Sequence, residues 1–66
     1  MQITIEEEIR ELKRELALRN RLYPEWVKLC KLRPEEARYQ IACLQSTLKR
    51  LEAIDKQQNG EQTNLF

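Results

Sequence analysis

The sequence has no histidine, one glycine and two cysteines among its 66 residues. Histidine is the commonest general base and a frequent metal ligand, so its absence removes the usual starting points for catalysis and metal binding. Cys30 and Cys43 belong to no CxxC pair, so they do not form a zinc-binding pattern. No glycine-rich phosphate-binding loop is present either. We therefore expect a protein that is not an enzyme, with no catalytic residues, no metal site and no cofactor.

Long apolar runs are also missing, and this bears on the expected location. No uncharged stretch approaches the roughly 20 residues that a membrane span needs. The N-terminus does not resemble a signal peptide, and two cysteines allow only one disulfide, so we interpret both as free thiols. These features predict a cytoplasmic protein with no membrane partner.

What the chain does have is charge and helical periodicity. Charged residues make up 35% of it, and this composition is typical of long helices. A first apolar stripe follows steps of four and three, with Arg19 as its one basic interruption. The stripe comprises Ile5, Ile9, Leu12, Leu16, Tyr23 and Trp26. In "TIEE", Thr4 is placed to cap a helix and Glu7 to reach back to it. We predict a helix over about residues 5–22, ended or kinked by Pro24, with "PEWVK" adding one more turn.

A second helix is predicted from "RPEEA". Pro34 suits the first helical position, where its missing N–H costs nothing, and two glutamates fill the first turn. A second stripe with the same spacing follows, comprising Ala37, Ile41, Leu44, Leu48 and Leu51. Two such helices joined by a short turn bury their stripes by folding back on each other. The predicted fold is thus an all-α antiparallel helical hairpin over residues 1–57, followed by a flexible tail at 58–66.

So small a chain rarely buries enough apolar surface alone. Apolar residues also remain off the two stripes, among which Leu18 and Leu22 are one helical turn apart, as are Tyr39 and Cys43. We interpret these four residues as a self-association surface, the alternative being simple exposure. A dimer that forms a four-helix bundle is the simplest closed assembly, and higher oligomers are the alternative.

Charge is unevenly distributed along the chain. Residues 1–18 carry five acids and three bases, whereas residues 19–38 carry six bases and three acids. Aromatic side chains lie in the same basic segment, so the turn of the hairpin combines ring faces with cationic donors. The predicted binding residues are Tyr23, Trp26, Lys28, Arg33 and Arg38. In the alternative interpretation, Tyr23 and Trp26 only plug the end of the core while the bases keep the turn soluble.

Residues 8–52 resemble a group of short helical proteins encoded in bacteriophages and prophages. The resemblance rests on "YPEWV" and "KLRPEEA", which match the patterns YPxWV and KLxPEEA. In that pattern a glycine usually stands near Cys30 and a serine or threonine near Arg33; this chain has neither. The resemblance implies origin and fold more than activity, and by analogy it implies binding to a component of the host.

Two functions follow as hypotheses. The first is a phage-type binding module that self-associates and occupies a host or phage protein, or sequesters a small anionic nucleotide ligand, as counter-defence proteins do in the host cytoplasm. The second is a nucleic-acid-binding accessory or regulatory protein that lays its basic turn on phosphates. A net charge of only +1 argues against the second, because non-specific nucleic-acid affinity is built on several phosphate contacts.

Overall fold

The computed structural model describes the backbone of residues 1–63 and the side chains of residues 1–58. Helix α1 spans Ile5–Lys28, helix α2 spans Pro34–Thr63, and residues 29–33 join them. The Tyr23 side chain contacts Gln40 near the turn, and Lys13 contacts Glu52 farther from it, which is the pairing of antiparallel helices. The predicted all-α helical hairpin is confirmed over the described residues.

Helix α1 begins with the predicted capping box. The Thr4 hydroxyl oxygen accepts a hydrogen bond of 3.2 Å from the Glu7 N–H, and the Thr4 N–H donates one of 3.0 Å to Glu7 Oε1. The Thr4 hydroxyl lies 3.1 Å from the same oxygen. The backbone hydrogen bond from Thr4 is the largest cause that holds the pKa of the Glu7 carboxyl below its usual value. Both partners therefore satisfy helix N–H groups that would otherwise lack an acceptor.

Of the two alternatives predicted at Pro24, an end of α1 is wrong, whereas the additional helical turn predicted for "PEWVK" is confirmed. The helix continues through Pro24 to Lys28, so "PEWVK" belongs to α1 itself. Pro24 has no N–H to donate to the carbonyl of Asn20, which removes one helical hydrogen bond. The apolar stripe continues through Tyr23 and Val27, which are buried and half-buried, and this packing holds the last turn in helical form. A kink at Pro24 stays a prediction.

A residue in the left-handed conformation follows the C-cap of helix α1. Cys30 has a φ of 59°; its N–H donates to the Val27 carbonyl at 3.0 Å, and the Lys31 N–H donates to the Trp26 carbonyl at 2.8 Å. These two bonds form a Schellman motif, whose left-handed position glycine usually occupies. The chain has cysteine there, at a conformational cost of roughly 1–2 kcal/mol for a residue with a Cβ atom.

Helix α2 begins at Pro34, as predicted. The carbonyl of Arg33 accepts the N–H of Ala37 at 3.0 Å, so Arg33 is the N-cap residue and brings no hydroxyl to that position. At the other end α2 extends to Thr63. It is therefore longer than predicted, since the sequence predicts a tail after residue 57. The flexibility of residues 58–66 stays a prediction, and Leu65 and Phe66 lie outside the described residues.

The core is a narrow seam between the helices. Among the described side chains, four are buried: Ile9, Leu16, Tyr23 and Ala37. The seam is completed by half-buried residues, which are Ile5, Leu12, Val27, Ile41, Leu44, Leu48 and Leu51. Both predicted stripes thus face each other, with one exchange: Trp26 is 38% exposed, and Val27 takes the inward position. The chain measures 54 × 25 × 15 Å, so it is one helix layer thick and has two broad open faces.

Candidate functional site

The two aromatic residues predicted for the site are in contact. The ring centroids of Tyr23 and Trp26 lie 5.4 Å apart at an angle of 30°. Tyr23 is buried, and its hydroxyl donates a 2.9 Å hydrogen bond to Gln40 Oε1 on α2. Tyr23 is thus largely covered, whereas the indole of Trp26 is 38% exposed.

A polar cluster that the sequence did not predict surrounds the Tyr23 ring. Arg19 Nε donates to Glu15 Oε2 at 3.0 Å, and its guanidinium also reaches the Gln40 carbonyl at 3.4 Å. The same guanidinium lies 5.7 Å from the Tyr23 ring centroid. The sequence contained one signal for this cluster, which is the position of Arg19 inside the first apolar stripe. A basic side chain that packs there needs polar partners. The cluster ties the two helices together and fixes their register.

The three predicted basic residues are all exposed, but they are not gathered into one cluster. Arg33 Nε lies 3.8 Å from Glu36 Oε1, an ion pair on the surface of the turn end. Lys28 is the last residue of α1. Arg38 projects from the first turns of α2, where it lines a groove together with Tyr23. The structure therefore brings Tyr23 and Arg38 to one groove, while Lys28 and Arg33 lie outside its lining.

This groove lies between the two helices at the turn end, is largely open to solvent and has a volume of about 520 Å³. Its walls are mainly apolar, and Arg38 is the one charged residue that lines it among those whose side chains the structure describes. The lining residues are Asn20, Tyr23, Pro24, Val27, Pro34, Ala37, Arg38, Ile41 and Gln45. Most of them were not predicted as site residues. They come from both helices, and only the antiparallel packing brings them together.

The predicted self-association residues lie on the broad face away from the groove. With 3.6 residues per turn, Pro24 is rotated about 100° from Tyr23 toward the groove, and Leu22 is rotated about 100° the other way. On α2, Arg38 lies on the groove side of Ala37, and Cys43 lies on the opposite side by the same geometry. We call this second surface the apolar flank. It comprises Leu18, Leu22, Trp26, Leu29, Tyr39, Cys43 and Ile54.

Much of the apolar flank is open to solvent. Leu18 is 41% exposed, Leu29 60%, Tyr39 70% and Ile54 44%. Leu22 is half-buried, whereas the free thiol of Cys43 is exposed. A side-chain hydrogen bond with Cys43 is the largest cause that raises the pKa of the neighbouring Tyr39 phenol. The two residues lie one helical turn apart on α2.

Over the part of the chain that the structure describes, neither helix combines the length and apolar character needed to cross a membrane. Comparisons with protein families, with curated proteins and with solved structures found no match for this chain. The residues of the groove and of the apolar flank are therefore the basis for inferring a function.

Proposed function

We propose that this protein is a non-enzymatic helical binding module that self-associates through its apolar flank and binds an anionic partner at its turn end. The observation that carries the proposal is the groove of about 520 Å³, whose mainly apolar lining includes the basic residue Arg38. Small-molecule pockets commonly have volumes of about 300–1,000 Å³ and combine apolar walls with a few polar groups.

The chemistry of the groove favours a ligand with an apolar or aromatic body and a negative group. Pro24 and Pro34 stand on its two sides, and Ile41 adds aliphatic surface. Arg38 offers planar N–H donors that match a carboxylate or a phosphate. Residues 19–38 carry six bases against three acids, so the electrostatic potential around the groove is positive, like the charge of Arg38. A small nucleotide has this chemistry, and so does an acidic, apolar protein segment.

A bend of α1 at Pro24 belongs to the same proposal. The carbonyl of Asn20 has no N–H partner at Pro24, and both residues line the groove. A helix that opens slightly at this point would turn the Asn20 carbonyl toward a ligand, where it could accept a hydrogen bond. The bend would also widen the groove between Pro24 and α2.

The resemblance to phage-encoded proteins supports a host component as the partner and the host cytoplasm as the place of action. A module that sequesters a host protein or a small anionic nucleotide needs no catalytic group. The residues that we propose for binding are Tyr23, Trp26, Lys28, Arg33 and Arg38. Tyr23 and Arg38 line the groove, Lys28 and Arg33 lie at the turn end outside it, and Trp26 lies on the apolar flank.

The test is a binding titration with three probes: a fluorescent adenine nucleotide, a fluorescent acidic peptide with leucine side chains, and duplex DNA at low salt. We expect the wild-type protein to bind the nucleotide or the peptide. The variant Arg33→Ala/Arg38→Ala should lose at least tenfold in affinity, because a charge-assisted hydrogen bond contributes about 1.5–3 kcal/mol. Exposed bases contribute little to folding, so its circular dichroism spectrum should match that of the wild type.

The control is Arg10→Ala/Lys56→Ala, which removes the same charge from the other end of the hairpin. It should retain the affinity of the wild type. Equal binding by Arg33→Ala/Arg38→Ala would contradict the proposal, as would the absence of binding to both favoured probes. Binding to DNA alone, with a steep salt dependence, would favour the nucleic-acid function instead.

A further inference from the structure

The apolar flank is a set of exposed side chains on one side of the hairpin, and its occupant can be inferred. It collects the exposed apolar side chains of both helices on the face away from the groove: Leu18 and Trp26 from α1, and Tyr39 and Ile54 from α2. Scattered apolar residues are ordinary on a protein surface, but a one-sided collection of them marks an interaction surface. Because this flank and the groove lie on opposite faces, both can be occupied at once.

One hairpin leaves both of its broad faces uncovered. Among the described side chains only four are buried, and most of the large apolar side chains of the flank are among those that stay exposed. A chain this small rarely buries enough apolar surface alone. A second copy of the chain, docked on the apolar flank, would cover that surface.

The charge distribution indicates how the second copy is oriented. The open end of the hairpin includes residues 1–18, with five acids and three bases, and the turn end includes residues 19–38, with six bases and three acids. Helix α1 alone is about 36 Å long, several times the Debye length of about 10 Å at 0.1 M salt. Each end is therefore affected mainly by the end beside it. Antiparallel copies set acidic against basic ends, whereas parallel copies set basic against basic ends.

We propose that two copies associate through their apolar flanks in an antiparallel orientation, with the acidic open end of each hairpin beside the basic turn end of the other. This inference rests on the self-association in the proposed function and adds its surface and geometry. The interface is isologous, so the same residues contribute from both copies and the assembly closes as a dimer. The result is a four-helix bundle with one groove on each outer face.

The two-fold axis of this dimer passes near the middle of the hairpin. Leu18 and Cys43 are each about 15 Å from the turn, by ten residues of helix at 1.5 Å each, and the hairpin is about 36 Å long. Both residues therefore lie close to the axis, so the Cys43 thiols of the two copies approach each other. The Cys30 thiols lie at opposite ends of the dimer, each beside the N-terminus of the partner.

Crosslinking of full-length variants in solution with a short bis-maleimide tests this geometry. Cys30→Gly, which keeps only the Cys43 thiol, should form covalent dimers. Cys43→Ala, which keeps only the Cys30 thiol, should not. Adding Gln2→Cys to Cys43→Ala should restore covalent dimers through a link between position 2 and Cys30. That link cannot form within one chain, because the two positions lie at opposite ends of α1.

Light scattering on the uncrosslinked proteins completes the test. The wild type should be a dimer at micromolar concentration, and Leu18→Glu/Tyr39→Glu, which changes two exposed flank residues, should be a monomer. Ala42→Glu/Ala53→Glu adds the same charge at exposed positions away from the flank and should stay dimeric. Covalent dimers of Cys43→Ala without the added thiol would overturn the antiparallel orientation. A monomeric wild type would overturn the dimer, whereas the proposed binding at the groove is judged separately by the probe titration.

Discussion

The turn half of the hairpin, residues 16–45, is more tightly specified than the open half, residues 1–15 and 46–63. In the turn half Leu16, Tyr23 and Ala37 are buried, and Arg19, Tyr23 and Gln40 link the helices by hydrogen bonds. In the open half, among its described side chains, only Ile9 is buried. The cross-helix ion pair there, between Lys13 and Glu52 at 3.6 Å, joins two exposed side chains and contributes little. The turn half thus holds most of the buried contacts between the helices, whereas the open half has fewer of them and begins with the capping box.

The largest expected effect is a loss of stability when core side chains are shortened, and we expect it to be greater in the turn half than in the open half. Tyr23→Ala should lower the free energy of unfolding by about 3–5 kcal/mol, because it leaves a cavity where a buried ring stood. Leu12→Ala, at a half-buried position in the open half, should cost less than Tyr23→Ala. Urea denaturation followed by circular dichroism measures both values. A greater loss for Leu12→Ala would reverse the comparison, and Tyr23→Phe, which keeps the ring, should cost only about 1 kcal/mol.

The starts of the two helices favour the open half instead. Helix α1 begins at the open end with a capping box, whereas α2 begins at the turn end without one. Thr4→Ala should cost about 1 kcal/mol. Arg33→Ser should gain a similar amount, since it places a hydroxyl three residues before Glu36 and completes the same box at the start of α2. Thermal unfolding checks both, with Arg33→Ala as the matched control that removes the guanidinium without adding a cap. A destabilised Arg33→Ser variant would contradict this account of the start of α2.

A smaller effect is expected at the turn, where Cys30 has a φ of 59°. Cys30→Gly should raise the free energy of unfolding by about 0.5–1 kcal/mol, because glycine adopts this conformation without steric cost but gives up more chain entropy on folding. Cys30→Ala is the control, since it removes the thiol but keeps the Cβ atom, and it should be neutral. Equal melting temperatures for the glycine and alanine variants would show that the left-handed turn carries no strain.

The smallest effect concerns pH at the open end. The hydrogen bonds from Thr4 lower the pKa of Glu7 in the folded protein. A group with a lowered folded-state pKa stabilises the fold fully above its unfolded pKa, and this contribution is lost as the pH falls through the folded value. The Thr4 amide signal in an NMR titration should therefore report protonation below about pH 4.3, the usual glutamate value. In Glu7→Gln the same signal should show no such transition.

Much of the fold followed from local features of the sequence. The capping box at Thr4 and the start of α2 at Pro34 are signals carried by a few adjacent residues, and both were predicted correctly. The end of α1 was not, because the packing of Tyr23 and Val27 outweighs the hydrogen bond lost at Pro24. Trp26 and Val27 also exchanged expected places. They are only about 100° apart around the helix, so the line of contact with α2 decides which one faces inward.

The candidate site depended more on tertiary structure. The sequence placed aromatic and basic residues in the same segment, and Tyr23 does meet Arg38 at one groove. It did not reveal the groove, because the lining residues come from two segments, residues 20–27 and 34–45, that meet only when the helices fold back. Nor did it show that Tyr23 is covered by Arg19, since an interrupted stripe does not reveal which partners the base will find.

By itself, the sequence determined that this chain forms two helices with apolar stripes and that its two ends differ in charge, because periodicity, caps and charge are properties of neighbouring residues. Only the tertiary structure decided the rest. It set which residues of each stripe face the other helix. It also placed the groove on one broad face of the hairpin and the apolar flank on the other. The physical reason is that two straight helices bury only the strip along which they touch. What each helix presents outside that strip follows from the angle at which it is packed.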